Sequence, residues 1–252
     1  MGRAWLDALP ERVEELAERW GLDLGEPYQP SGYTSWAAPA ARDGEPCVLK
    51  VQVPDPWSAG EAPALRHYGG RACVRLLEHA DWALLLERCE PGTPLLAEPD
   101  DVAATVVAET LAELWAAPPS GETFRRFGDV EAEYRDALRR STLPQAAEAR
   151  ATLDGLLADP QPEVVLHADL HPGNVLRAAR RPWLAIDPKG LVGERAIDAV
   201  PVVRDRATAA NVGRRLDIVT DVLGLDRDRV RGWALVVCVE SGFADVAALL
   251  TE

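Results

Sequence analysis

Hydrophobic residues in the first 90 positions follow two different periods. Close to the amino terminus they recur every three or four residues, which predicts an amphipathic helix whose apolar stripe packs on a core. From Cys47 to Val53 they alternate with other residues, and from Leu84 to Cys89 they form a short run; both patterns predict strands. The predicted helical stripe consists of Trp5, Leu6, Leu9, Val13, Leu16 and Trp20.

Helical spacing dominates the rest of the chain. The segment Glu90-Pro91-Gly92-Thr93-Pro94 interrupts regular structure, and we interpret it as the linker between two lobes. The predicted division is a small, β-rich lobe of residues 1–90 and a larger, mainly helical lobe of residues 91–252, which gives an α+β fold class. We predict helices from Asp100 to Ala117, one or two between Val130 and Asp159, and two more around Ala207 to Val222 and Arg227 to Leu250.

The most informative segment is a polar loop between two apolar runs that look like buried strands. Four residues separate Asp169 from Asn174, and Asp187 follows the next apolar run. This spacing is typical of a phosphoryl-transfer site, in which one Asp accepts the attacking hydroxyl's proton while the Asn and the second Asp hold Mg²⁺. Asp, Pro-Gly and Asn are also ordinary turn formers. The addition of Asp187 favours the functional interpretation over a simple turn.

The sequence HADLHPGNVL (His167 to Leu176) followed by AIDPKGLVGE (Ala185 to Glu194) resembles the aminoglycoside phosphotransferase group of eukaryotic-kinase-like enzymes. Lys189 and Gly190 point to its streptomycin and hydroxyurea phosphotransferase branch. The tripeptide Asp187-Pro188-Lys189 departs from the Asp-Phe-Gly of protein kinases and argues against that class. The resemblance continues upstream through GYTSWAAPA, CVLKVQVPD and LLLERCEPGTPL, and it implies a two-lobed protein-kinase-like fold with an antiparallel, nucleotide-binding amino-terminal lobe.

The amino-terminal lobe contains the candidate ATP-binding residues. An ammonium group in an apolar strand needs an anionic partner, and the resemblance implies that Lys50 contacts the α- and β-phosphates while Glu61 orients it. The alternative is an exposed strand-edge lysine beside a surface glutamate. The segment from Ser31 through Gly32 to Thr34 would cover the phosphates, although it is equally compatible with a β-turn. The resemblance also implies that adenine binds main-chain groups from Glu87 to Cys89.

Four further residues surround the predicted catalytic loop. By the resemblance, His167 braces the loop and Asp198 anchors its backbone. His171 is predicted either to orient Asp169, to line the acceptor pocket or to serve as an ordinary hydrogen-bonded loop residue. Lys189 would stabilise charge on the transferred phosphoryl group, or form a salt bridge with Glu194 or Asp198.

The acceptor pocket has weaker support from the sequence. A cationic acceptor needs carboxylates, and Glu240 and Asp245 near the carboxyl end are candidates, with Glu131 and Glu133 on an earlier segment. Each is also explained as a solvated surface charge. The net charge of −14 argues against nucleic-acid binding and favours a cationic partner, although acidity also serves solubility.

The remaining composition indicates a cytoplasmic protein with no obligate protein partner. Its four cysteines are scattered without zinc-binding spacing, and we expect them to be reduced and mostly buried. No apolar run approaches the length of a membrane span. We therefore expect an ATP- and Mg²⁺-dependent phosphotransferase for a streptomycin-like cationic hydroxyl compound. The alternatives are a kinase of hydroxyurea or of an ordinary metabolite, and a nucleotide-binding module without catalysis.

Overall fold

The computed structural model describes residues 2–29, 34–118 and 120–251. Its amino-terminal part contains a five-stranded antiparallel sheet in the order β1-β2-β3-β5-β4. The tight hairpin between β2 and β3 forms at Asp43-Gly44, where both residues have positive φ, the conformation that an Asp-Gly pair favours. The strands are β1 (Leu22–Leu24), β2 (Ser35–Arg42), β3 (Glu45–Gln52), β4 (Leu76–Ala80) and β5 (Ala83–Glu87).

The first helix, α1 (Arg3–Trp20), packs on one face of this sheet. Leu16 is buried against Leu49 and Val51 of β3, and the Trp5 indole Nε1 donates to the Gln52 carbonyl at 3.0 Å. The predicted packing of the stripe is confirmed except at Leu6, which is 48% exposed. Strand β3 is therefore buried on both faces, with the side chains of Val48 and Lys50 on the other face.

The start of helix α2 (Glu61–Tyr68) lies in main-chain contact with a segment distant in sequence, Lys189-Gly190. A Cβ added at Gly60 would lie 1.9 Å from the Lys189 carbonyl oxygen, and one added at Gly190 would lie 2.6 Å from the Gly60 oxygen. Gly190 also has a φ of +64°, which disfavours any other residue. These two glycines let α2 begin directly beside the segment that carries Asp187.

Helices dominate the carboxyl-terminal part. Helix α9 is central to the core, and its Trp233 is buried against Phe127. The α-helices are α3 (Asp100–Trp115), α4 (Phe127–Arg140), α5 (Ala146–Ala158), α6 (Arg195–Asp198), α7 (Val200–Arg204), α8 (Val212–Leu223), α9 (Arg227–Glu240) and α10 (Ala244–Leu249).

Two predicted helix boundaries were wrong. Helix α8 begins at Val212 instead of Ala207, because the Asn211 side chain accepts the Thr208 N–H at 2.7 Å and forms a turn. The segment from Arg227 to Leu250 is two helices, since Gly242 takes a φ of +78° between them. The other predicted helices and strands are present to within a few residues.

Short strands frame the catalytic region. They form a three-stranded sheet in the order β6-β10-β7 and a β8–β9 hairpin. The strands are β6 (Arg125–Arg126), β7 (Glu163–Leu166), β8 (Val175–Arg177), β9 (Trp183–Ala185) and β10 (Leu191–Glu194). The predicted α+β class is confirmed. All four cysteines are free and buried, and no helix in the described ranges has the length and apolar character needed to cross a membrane.

The contact between Gly60 and the Lys189 carbonyl leads to a stability prediction. We expect Gly60→Ala to lower the free energy of unfolding by about 1–3 kcal/mol, because the added methyl group forces main chain apart. Gly155→Ala is the matched control: Gly155 lies inside α5 with open space around its Cα, so alanine should raise stability by up to about 1 kcal/mol. Urea unfolding of both variants tests this, and equal effects would contradict it.

Candidate active site

A buried ion-pair network joins the sheet, α2 and the segment after β9. The Lys50 ammonium lies 2.6 Å from Glu61 Oε2 and 2.7 Å from Asp187 Oδ1. Burial alone would lower the pKa of Lys50, but the two carboxylates outweigh it and raise the pKa above its usual value. Lys50 therefore stays charged, and the exposed-edge alternative for this lysine is wrong: its side chain is 11% exposed.

Gln52 is a member of this network that the sequence analysis missed. Its Nε2 donates to Glu61 Oε2 at 2.7 Å and to the Ser58 carbonyl at 3.2 Å. Glu61 Oε1 is buried without a hydrogen-bond partner among the described residues, and burial raises the pKa of this carboxyl group. Gln52 lies two positions after Lys50 on the same strand face, and that alternation was the available signal.

The backbone of the predicted catalytic loop, residues His167 to Asn174, is fixed by the buried Asp198. Its carboxylate accepts the main-chain N–H groups of His167 at 3.0 Å and Ala168 at 2.6 Å. The Trp115 indole adds a third donor at 2.9 Å. Burial raises the pKa of Asp198 to about 6 in spite of these donors. Ala168 has a φ of +63°, a strained conformation that this anchor holds in place. The geometry matches the anchoring role predicted for Asp198.

His167 braces the loop from inside. Its Nε2 donates to the Ile186 carbonyl at 2.9 Å, and its Nδ1 faces the Asp169 N–H at 3.3 Å. Burial lowers the pKa of His167 to about 3, so the ring is neutral at physiological pH. A neutral, fully buried imidazole between two loop segments fits a bracing role.

Asp169, Asn174 and Asp187 meet beside this brace. The Asn174 Nδ2 donates to the Asp169 carbonyl at 2.9 Å, and the Asn174 carbonyl accepts the Ile186 N–H at 2.9 Å. Burial raises the pKa of Asp169. Burial acts in the same direction on Asp187, but Lys50 and Lys189 outweigh it and lower the pKa of that carboxyl below its usual range. Asp187 is thus held as a carboxylate.

Lys189 pairs with neither Glu194 nor Asp198, whereas His171 makes the contact expected of an ordinary hydrogen-bonded loop residue. The Lys189 ammonium lies 3.0 Å from Asp187 Oδ1. The alternative pairing with Glu194 is wrong, because Glu194 instead accepts from Arg229 at 2.6 Å and from the Trp233 indole at 2.5 Å. His171 accepts the Gly173 N–H on its Nδ1 at 3.1 Å, which makes it the cap of the turn that contains Pro172.

A cleft of about 640 Å³ opens next to Lys50. The segment from Leu86 to Gly92 forms one edge, and apolar side chains of Val48 and Ile186 contribute to its walls. The Cys89 main-chain N–H and carbonyl make no hydrogen bond with other described residues. The other lining residues are Tyr28, Ser35, Ala37, Lys50, Glu61, Val74, Leu176 and Asp187.

The Glu87 carboxylate is occupied by a partner outside this edge. Arg180 donates to both of its oxygens at 2.7 and 2.9 Å, and also to the carbonyls of Gly70 and Cys73. The Glu87 carboxylate is therefore committed to Arg180, and the main-chain groups of Cys89 remain open to a ligand base. Ser31 and Gly32 lie outside the described residues. Thr34 is placed just before β2, where its carbonyl accepts the Val53 N–H at 2.8 Å.

The candidate acceptor carboxylates are scattered. Asp245 is exposed at the start of α10, whereas Glu240, at the end of α9, influences the pKa of Tyr134. Glu131 pairs with Arg135 at 2.7 Å, and Glu133 with Arg125 at 3.4 Å. These contacts fit the surface-charge alternative for Glu131 and Glu133, while Glu240 accepts a hydrogen bond from the Ser241 hydroxyl at 2.6 Å.

The depressed pKa of His167 leads to a pH prediction for stability. In the unfolded chain His167 takes up a proton near its ordinary pKa of about 6.5, whereas the folded protein excludes that proton down to about pH 3. Its contribution is therefore present above pH 6.5 and lost as pH falls. Between pH 7 and pH 5 we expect a loss of about 2 kcal/mol in the free energy of unfolding that His167→Gln does not show. Urea titrations at both pH values measure it; parallel losses in the two proteins would refute it.

Comparison with known proteins identifies the chain's relatives. A family described as aminoglycoside/hydroxyurea antibiotic resistance kinase matches residues 23–247. The hydroxyurea phosphotransferase of Kitasatospora aureofaciens is 43% identical over 251 residues, covering 93% of this chain and 72% of that protein. The streptomycin 6-kinase of Streptomyces glaucescens is 37% identical over 265 residues, covering 97% and 85%.

Solved structures agree on the fold. A thermostable mutant of aminoglycoside phosphotransferase APH(4)-Ia in its apo form has a TM-score of 0.64 at 20% identity and covers 94% of both chains. The predicted protein-kinase-like fold and the predicted phosphotransferase class are confirmed by these matches. The chain belongs to the aminoglycoside/hydroxyurea antibiotic resistance kinase family.

Proposed function

We propose that this protein is an ATP-dependent phosphotransferase that acts on a hydroxyl group of a small cationic antibiotic of the streptomycin type. The observation that carries this proposal is the convergence of Lys50, Glu61 and Asp187 at the inner end of the cleft, beside Asp169 and Asn174. A streptomycin 6-kinase at 37% identity supports the acceptor class. The alternative of a nucleotide-binding module without catalysis conflicts with the presence of all five groups.

The cleft supports nucleotide binding in two ways. Its apolar walls, with Val48 on one side and Ile186 on the other, suit a planar purine, and the unpaired main-chain groups of Cys89 suit its hydrogen-bonding edge. At the inner end, the Lys50 ammonium suits phosphate oxygens. A related structure, a thermostable mutant of aminoglycoside phosphotransferase APH(4)-Ia, was solved as a ternary complex with ADP and hygromycin B, with a TM-score of 0.61.

The chemistry of two side-chain oxygens fits Mg²⁺. Asp187 Oδ2 and Asn174 Oδ1 accept no hydrogen bond from other described residues, and both are hard oxygen donors. No group of three His, Cys, Asp or Glu side chains suited to a metal occurs in the described ranges. A carboxylate and a carboxamide with phosphate oxygens and water are a usual set for this ion. When bound, Mg²⁺ would neutralise charge on the β- and γ-phosphates.

The residues then have distinct tasks in the transfer. Asp169 accepts the proton of the acceptor hydroxyl while that oxygen forms a bond to the γ-phosphorus and the bond from the γ-phosphorus to the bridging oxygen of ADP breaks. The products are the phosphorylated acceptor, ADP and a proton. Lys50, oriented by Glu61, would hold the nucleotide phosphates, and Lys189, 3.0 Å from Asp187 Oδ1, would stabilise charge on the transferred group. Positioning and charge neutralisation supply most of the rate enhancement.

Hydroxyurea is the second candidate acceptor. The hydroxyurea phosphotransferase of Kitasatospora aureofaciens, at 43% identity, is the observation that favours it. Its hydroxyl would meet Asp169 in the same way. The two acceptors differ in charge and size, so a direct comparison of turnover separates them.

Removal of the proposed base tests the reaction itself. We expect Asp169→Asn to lower kcat with streptomycin by about 10²–10⁴-fold, because the hydroxyl loses its proton acceptor, while nucleotide affinity stays the same. Asp221→Asn, which neutralises an exposed carboxylate on α8, is the matched control and should keep full activity. Mg²⁺-dependent ADP release is measured with streptomycin, other aminoglycosides and hydroxyurea.

The outcomes separate the candidates. Turnover with streptomycin that disappears in Asp169→Asn supports the proposal. Turnover with hydroxyurea but not with streptomycin would support hydroxyurea as the acceptor in place of streptomycin. If the protein binds the nucleotide normally but releases ADP with neither streptomycin nor hydroxyurea, the antibiotic role is refuted.

The metal assignment has its own test. Chelation should abolish turnover, and Asn174→Ala should raise the Mg²⁺ concentration for half-maximal activity by at least about tenfold, because a metal ligand is lost. Asn211→Ala, in the turn before α8, is the matched control and should leave the Mg²⁺ requirement unchanged. An unaltered requirement in Asn174→Ala would exclude Asn174 as a ligand.

A further inference from the structure

Arg204 was not singled out by its sequence position, yet the structure brings it to the proposed base. It is the last residue of α7, and its Nη2 lies 3.6 Å from Asp169 Oδ1. On the other side its guanidinium lies over the Phe243 ring, 4.8 Å from the ring centroid. The Arg204 guanidinium is thus held between the proposed base and an aromatic ring in the break between α9 and α10.

The donors of this guanidinium form no hydrogen bond within the described part of the chain. The Arg204 side chain donates no hydrogen bond to any other residue in the described ranges, and its distance to Asp169 exceeds hydrogen-bond length. Arg180, which has a similar exposure of 24% against 21%, instead makes four hydrogen bonds. Arg180 is thus committed to contacts within the protein, whereas Arg204 keeps up to five N–H donors beside the proposed base.

The surroundings indicate which kind of group these donors suit. Arg204 and Lys189 both place positive charge near Asp169, so a cationic group of the acceptor is disfavoured next to the reacting hydroxyl. Glu240 and Arg204 both lie near Tyr134, on whose pKa they act with opposite sign. A neutral oxygen of the acceptor therefore suits the position beside Arg204 and Lys189, and a cationic group of the acceptor suits a position nearer Glu240.

We propose that Arg204 binds the acceptor by donating hydrogen bonds to an oxygen adjacent to the hydroxyl that Asp169 deprotonates. The acceptors selected in this way carry a hydrogen-bond-accepting oxygen beside the reacting hydroxyl. A carbonyl meets this requirement in hydroxyurea, and a neighbouring hydroxyl meets it on a polyhydroxylated ring. The inference rests on the proposed function, since it describes the acceptor side of the same reaction.

Steady-state kinetics of ADP release tests this role. We expect Arg204→Ala to raise the KM for the acceptor by about 10- to 100-fold, the effect of losing charge-assisted hydrogen bonds, and to leave the KM for ATP within about twofold. Arg204→Lys keeps the charge but not the planar fork, so it should recover only part of the acceptor affinity. Arg214→Ala, an exposed arginine on α8 paired with Asp101, is the matched control and should leave both constants unchanged.

Three results would overturn the inference. The first is an unchanged acceptor KM in Arg204→Ala, and the second is an equal rise in the KM for ATP in that variant. The third is full recovery of the acceptor KM in Arg204→Lys, because this would show that only the positive charge of the residue matters. Thermal unfolding of each variant confirms that it is folded. If the alanine variant does not fold, Arg204→Gln and Arg204→Lys carry the same comparison.

Different experimental results would refute the role of Arg204 and the proposed function. Normal wild-type turnover with an unaltered acceptor KM in Arg204→Ala refutes the role of Arg204 alone. An absence of wild-type turnover with every acceptor refutes the proposed function. In that case calorimetric binding of streptomycin and of hydroxyurea decides: binding weakened by Arg204→Ala supports the inference, and binding that is absent or insensitive overturns it.

Discussion

The sharing of one buried ammonium group between two carboxylates is the constraint on which the site depends. Lys50 comes from the sheet, Glu61 from α2 and Asp187 from the segment after β9, so a single cation ties three separate parts of the chain together. Removal of the ammonium group would leave the Glu61 carboxylate in a buried position without its ion-pair partner, and this would lower the stability of the folded protein. Gln52 and α1 secure the strand that presents Lys50, and the Gly60–Gly190 approach brings α2 within reach.

A second buried charge organises the loop that faces this network. Asp198 accepts two consecutive main-chain N–H groups and an indole N–H, and it thereby holds Ala168 at a positive φ. His167 then links the loop to Ile186, one residue before Asp187. The position of Asp169 relative to Asp187 is therefore determined by hydrogen bonds from buried groups, and little is left to exposed side chains. Hydrogen bonds of this kind keep reacting groups within a fraction of an ångström of the geometry that the reaction needs.

Much of this arrangement could be predicted from the sequence because local patterns carry it. Alternation identified β3 and placed Lys50 within it, and the spacing of Asp169, Asn174 and Asp187 indicated one chemistry. Other features depend on contacts between distant segments. Arg180 and Arg204 look like any surface arginine in the sequence, and only the folded chain shows one saturated by Glu87 and the other lying beside Asp169. The start of α8 was predicted wrongly because the side chain of Asn211 forms a turn before the helix.

The commitment of Glu87 to Arg180 has a consequence for inhibition. Since the carboxylate is bound by Arg180, a ligand in the place of adenine would find its hydrogen-bonding partners at that edge in the main-chain groups of Cys89. Peptide groups do not change when a residue is substituted. A point mutation at Cys89 would therefore leave the hydrogen bonds of such a compound in place, whereas substitution of the apolar lining residues Val48 and Ile186 would change the surface that it contacts.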